Sequence, residues 1–228
     1  MASAERIIDR PQVEIMADRK RKRTEMLDKL RRGERRVERS NAVNVKIALL
    51  PGAELPQYAK PNDSGFDLVA QEDYVVEPGQ TVKVRTGICV ELPVGYELQV
   101  RPRSGISANT KLRVANSPGS VDNSYRGEIC VLIDNIAQVE YDVVRDEDTN
   151  AMTGVEVAQS GAADTLDGSY VLGVFPQGTY IIRKGDRIAQ AVIAPVYLAA
   201  FEVVTELAES ERGAGGFGHS GVRTEASV

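Results

Sequence analysis

Five short stretches of this chain carry more polar side chains and glycine than a buried element can use: PNDSGFDL (61–68), RPRSGIS (101–107), NSPGSVDNSYRGEI (116–129), RKGDRIAQ (183–190) and RGAGGFGHSG (212–221). The sequence holds one histidine, His219, so a Ser-His-Asp triad or a multi-histidine metal site would have to run through it. Carboxylates and arginines must therefore carry any catalysis. A carboxylate ionised at neutral pH can accept a proton from an attacking water, and guanidinium and backbone N–H groups can neutralise phosphate. The glycine-rich stretch near the C-terminus cannot build a core; it is either a loose end or a backbone that closes around something charged. Taken singly, each stretch also reads as something plainer: a turn, a charged loop, a Pro-Gly hairpin, a turn ahead of a strand, a disordered tail.

The elements that must position these residues are strands. From about Val43 the chain breaks into short β-rich runs separated by Gly, Pro, Asn and Asp, the texture of an all-β sandwich or barrel. In TVKVRTGICVEL (81–92), Val82, Val84, Ile88, Val90 and Leu92 share one face, against Lys83, Arg85 and Glu91 on the other. YELQV (96–100) repeats the alternation, whereas ICVLI (129–133) is apolar throughout and reads as buried on both faces. No strong helix signal falls in this part. Between Asn135 and Gly168 the pattern dissolves into an acidic, small-residue stretch read as an insertion at about 136–168, and strand texture returns with SYVLGVF, TYIIR and RIAQAVIAPVYL.

At 228 residues the chain suits one β domain over 44–205 with two appendages: a charged, helix-favouring arm over 1–43 and a flexible glycine-rich arm over 206–228. The net charge is −5, yet residues 1–40 carry 13 basic and 8 acidic side chains. That arm reads first as a solvated extension, and second as an electrostatic contact for nucleic acid. Cys89 and Cys130 stand far apart with no C-x-x-C pair, which suggests neither zinc nor a disulfide framework. The longest apolar runs fall far short of the roughly 20 residues of a membrane span, and the N-terminus has no apolar signal core, so a cytoplasmic location is expected and no membrane contact.

In this order and spacing the five stretches resemble the motifs of the trimeric dUTPase family, over about residues 44–221 apart from the insertion; GSVDNSYRGEI and RGAGGFG are the most specific. The resemblance implies a β-clip or jelly-roll-like barrel, a Mg2+ ion, hydrolysis of dUTP to dUMP and pyrophosphate, and a homotrimer whose three sites are shared among subunits. It implies that Asp122 holds the nucleophilic water and touches the deoxyribose 3′-hydroxyl, and that Asp67 holds Mg2+ through a water. Arg103, Ser104 and Gly105 would bind phosphate, with Gln190 organising the phosphate or the water. Asn116, Gly119, Ser120 and Val121 would line the uracil edge, and Tyr125 would pack on the sugar where a 2′-hydroxyl would otherwise sit. On the C-terminal arm, Arg212 would meet the γ-phosphate, Phe217 would stack on the base, and glycine N–H groups such as that of Gly218 would wrap the phosphates.

The nearest rival is a dCTP deaminase relative, whose catalytic glutamate would fall near position 132; Leu132 stands there, and deaminases lack the arm with arginine and phenylalanine. A second rival is a regulatory binding protein of the same fold acting through the insertion. The insertion and the charged extension are similar to those of phage-encoded members, some of which bind regulatory proteins, which implies a protein partner for the insertion and, for a phage protein, the host cytoplasm.

Overall fold

The computed structural model describes residues 42–215 and Arg21. Most of the expected N-terminal arm, together with Phe217 and Gly218, lies outside the described residues; Arg21 is helical. Along the chain run β1 (Lys46–Leu49), β2 (Phe66–Val69), β3 (Tyr74–Val76), β4 (Thr81–Glu91), β5 (Tyr96–Arg101), α1 (Ser104–Asn109), β6 (Leu112–Val114) and β7 (Gly119–Val121). There follow β8 (Glu128–Asn135), β9 (Tyr141–Arg145), β10 (Met152–Val157), β11 (Gln159–Thr165), β12 (Tyr170–Pro176), β13 (Tyr180–Ile182) and β14 (Arg187–Pro195). Three four-stranded sheets, ordered β1-β4-β8-β6, β12-β11-β13-β3 and β2-β14-β5-β7, share one core, and β9 and β10 form a separate ribbon. The all-β expectation holds. Among the described residues no helix is long and apolar enough to cross a membrane.

The alternation in β4 and β5 works as the sequence predicts: Val84, Ile88 and Val90 are buried from β4, Leu98 and Val100 from β5. β8 corrects the reading of ICVLI. Ile129, Val131 and Ile133 are buried while Cys130 and Leu132 are half-buried, so this strand has one core face and one partly open face. Burial holds the Cys130 thiol above its usual pKa. The six-residue α1 stands between β5 and β6 with no side-chain cap, in keeping with the lack of a strong helix signal there.

Where β4 and β8 lose register between Arg85 and Cys89, Gly87 takes φ +72°. Glu128 braces the irregularity. One of its oxygens accepts from Gly87 N at 2.8 Å and the other from Arg85 Nε at 2.9 Å. The fully buried Asn135 ties the sheets together, its amide donating to the carbonyls of Val76 and Gly178 and accepting from Ala137 N.

The insertion at 136–168, where the sequence shows no strand pattern, is built of strands. β9 pairs with β10 from Tyr141↔Val157 to Met152↔Arg145, and β11, one residue beyond β10, pairs antiparallel with β12 and parallel with β13. Asp146 caps the turn between β9 and β10, accepting from Asp148 N, Thr149 N and the Thr149 hydroxyl. The irregular look of this segment in sequence reflects exposure: all of β9 is exposed, and β12 turns Tyr170, Leu172 and Val174 outward from a sheet edge.

Candidate active site

The sheet β2-β14-β5-β7 is apolar on one face and polar on the other. Leu68, Ala189, Ala191, Leu98, Val100 and Gly119 turn into the core. On the opposite face, Gln190 stands between Asp67 on β2 and Arg101 on β5, each directly across from it in register. Directly paired residues share a face, so a carboxylate, an amide and a guanidinium form one row across three strands. Further along β5 the same face carries Gln99, opposite Ser120.

That row floors a cleft of about 520 Å³, lined also by Asp63, Ser64, Gly65, Arg103, Ser104 and Gly105. Three of the five singled-out stretches thus meet in one place. Asp67, with its side chain 18% exposed, accepts from Arg103 Nε at 3.0 Å on one carboxyl oxygen and faces Arg187 Nη1 at 3.4 Å on the other. Partial burial strengthens these pairs relative to ion pairs in open water. Gln190 Nε2 donates to the Pro102 carbonyl at 2.9 Å, which fixes the turn carrying Arg103. Arg101 lays its guanidinium against Gln99 Oε1, at 3.0 Å from Nε and 2.6 Å from Nη2.

The third stretch forms the end of the same sheet. Asn116 folds its amide over Gly119, where an added Cβ would lie 3.1 Å from Asn116 Nδ2. β7 then pairs Gly119, Ser120 and Val121 with Val100, Gln99 and Leu98. Asp122 follows, exposed, in a turn closed by Tyr125 N donating to its carbonyl at 3.1 Å. Tyr125 donates its hydroxyl to the Glu128 carbonyl at 3.0 Å and lies against Gly127, where a side chain would strike the phenol. Continuing the register sets Asp122 opposite Glu97, four residues along β5 from Arg101, or roughly 13 Å. Within one chain, then, Asp122 and Tyr125 stand apart from the cleft that holds Asp67, Arg103, Ser104, Gly105 and Gln190. Arg212 does not line this cleft; its Nε donates to the Gly215 carbonyl at 2.8 Å.

A family model described as dUTPase matches residues 52–146 and 168–221. The chain belongs to the dUTPase family. It is 39% identical over 181 residues to a deoxyuridine 5′-triphosphate nucleotidohydrolase of Helicobacter pylori, covering 79% of this chain and 98% of that one. It resembles a mutant dUTPase of Staphylococcus bacteriophage 80alpha solved with dUpNHpp, at a TM-score of 0.66 and 29% identity over 78% of this chain and 99% of that one. A mutant dUTPase of phage phi11 of S. aureus, described for its coordination of a structural Mg(II) ion, superposes at a TM-score of 0.59 and 27% identity, covering 72% and 97% of the two chains. The matched family segments omit 147–167, which carries all of β10 and β11, so the extra material is a strand-built addition inside the expected 136–168.

Against this dUTPase frame, the sequence reading missed Arg101 and Arg187. Both lie inside stretches it had singled out, RPRSGIS and RKGDRIAQ. Arg101 was legible as the outward residue next in phase after Glu97 and Gln99; Arg187 was not, because a bulge sets its direction.

Proposed function

We propose that this chain hydrolyses dUTP to dUMP and pyrophosphate, with the phosphates in the Asp67–Arg103–Gln190 cleft and the nucleoside on the β7 hairpin. The observation that carries this reading is the convergence of stretches 61–68, 101–107 and 183–190 on one cleft of suitable polarity. A triphosphate brings about four negative charges, and Arg101, Arg103 and the exposed Ser104 meet them with guanidinium and hydroxyl donors. The β7 backbone and the amide of Asn116 offer donors and acceptors to a uracil edge, and Tyr125 walls the sugar.

Asp122 acts as base, holding a water in line with the α-phosphorus and taking its proton. A base must lie within about 2.6–3.2 Å of that water, directly or through one more water, whereas Asp122 does not line the cleft of its own chain and by register stands roughly 13 Å along β5 from Arg101. A neighbouring copy's hairpin supplies the acid in our reading, which makes the site a property of a homotrimer. Tyr197, Leu198, Phe201, Val203 and Leu207 support it: they are 83–98% exposed on a segment without strand partners, and burying each against another copy would contribute about 1.5–3 kcal/mol. The arm bearing Arg212, Phe217 and Gly218 would close over the nucleotide from there.

The residues present fit Mg2+ held mainly by phosphate and water. Among the described residues no cluster of three acidic, histidine or cysteine ligands exists, and a phosphate-bound Mg2+ needs only one or two carboxylates. Asp67 gives two of about four acceptor positions to arginines, which leaves capacity for a metal-bound water. When bound, the ion would neutralise phosphate charge.

The test is product analysis with magnesium and dUTP, dCTP or UTP. Pyrophosphate is expected from dUTP alone, with no ammonia from dCTP. Asp122→Asn should lower kcat by about 10²–10⁴-fold while retaining dUTP binding. Ammonia from dCTP, or full turnover by Asp122→Asn, would overturn the assignment.

A further inference from the structure

Strict alternation back from Gln190 along β14 would turn Ala189 inward, residue 188 outward and Arg187 inward. The register shifts instead: Ala189 opposes Leu68, Arg187 opposes Val69, and Ile188 has no partner of its own. Ile188 and Ala189 are consecutive and both buried, at 1% and 0% exposure. The extra residue returns Arg187 to the face that bears Asp67 and Gln190, as a bulge does when it re-aims a side chain. There Arg187 Nη1 meets Asp67 Oδ2 at 3.4 Å, while Asp67 Oδ1 holds Arg103 Nε at 3.0 Å. The Arg187 carbonyl also accepts from Arg103 Nη1 at 3.1 Å. Arg103 is therefore gripped by Arg187 twice, once through the backbone and once through Asp67.

Arg187 does not line the phosphate cleft. It lines a second hollow of about 450 Å³ with Lys184 and Gln71, and Asp67 borders both hollows. We propose that Arg187 is a positioning residue: from behind Asp67 it fixes the carboxylate that aims the Arg103 guanidinium at a phosphate chain. Two of the five N–H groups of Arg103 are committed to this frame, and the remainder stay free to face an anion. Holding a guanidinium in one orientation before the ligand arrives removes an ordering cost from binding. The proposal rests on the reading of that cleft as a phosphate site.

The test uses the full chain and the variants Arg187→Gln, Arg187→Lys, Arg103→Lys and the double variant Arg187→Gln/Arg103→Lys. Readouts are dUTP kinetics, inorganic tripolyphosphate binding by calorimetry, and Tm. Arg187→Gln should raise KM and the tripolyphosphate Kd by about 5–20-fold, with kcat within about 3-fold. Arg187→Lys should recover part of the loss, since an ammonium can meet Asp67 without the planar fork. In the Arg103→Lys background, Arg187→Gln should add almost nothing, because its effect runs through the Arg103 guanidinium. Multiplicative effects in the double variant, or a lowered Tm with KM and Kd unchanged, would overturn the proposal. A wild-type chain that binds tripolyphosphate but leaves dUTP intact would sink the functional reading alone, and the tripolyphosphate series would still decide the role of Arg187.

Discussion

Gly65 is tightly enclosed: a Cβ there would lie 3.0 Å from the Ala191 carbonyl oxygen and 3.0 Å from Gln190 Oε1. The backbone of β14 cannot yield cheaply, so the Gln190 amide would be displaced, and with it the hydrogen bond that holds Pro102 and the Arg103 turn. Gly65→Ala should reduce kcat/KM for dUTP by about 3–30-fold with a smaller effect on folding; steady-state kinetics beside a thermal melt would check this, and unaltered kcat/KM would show that the amide has slack. At this scale the sequence was legible wherever one residue type suffices for the inference. Asp67, Arg103 and Gln190 were named from their stretches, and the cleft brings them together. Their partners were harder to read, because which acid an arginine meets depends on sheet register and on a bulge.

Among the elements, β4 and the β11–β12 turn make separate predictions. Glu128→Ala would strip Gly87 N and Arg85 of their acceptor inside the β4–β8 pairing, and a loss of about 1–3 kcal/mol is expected in urea unfolding. In the β11–β12 turn, hydrogen bonds from the Thr165 hydroxyl and then from Ser169 hold the Asp167 carboxyl well below the usual carboxylate range. Because the folded value is depressed, its stabilisation is complete above about pH 4 and is lost as pH falls through that folded value. Asp167→Ala should therefore lower the urea midpoint at pH 7 and lose this effect toward pH 2; an equal difference at both pH values would contradict the sign. Strands such as 81–92 could be read because one face is buried. YDVVR and QSGAADT could not: the first is wholly exposed in a two-stranded ribbon, and the second has side chains too small to leave a hydrophobic period.

For the whole molecule, a site divided between copies has a signature that no single-chain site shares. Asp122→Asn and Arg103→Gln, each inactive alone, should regain part of the wild-type turnover when mixed and allowed to exchange subunits. Mixed assemblies then contain some sites that pair an intact acid from one copy with an intact arginine from another. Failure to regain activity, with exchange verified by mass spectrometry, would place both groups in one chain's site. The assembly itself was not legible in any periodic pattern. It rests on the family resemblance and remains our proposal, to which the exposed apolar side chains after β14 add a physical motive.

The bulged pairing of β14 with β2 couples correctness of folding to competence. If β14 threaded one position out of step, Gln190 would be driven into oil, the alanines beside it would surface, and Arg187 would lose its acid. Such a misthreaded chain would be both fragile and inert, so cellular proteolysis, which removes fragile chains, would also remove the catalytically silent ones.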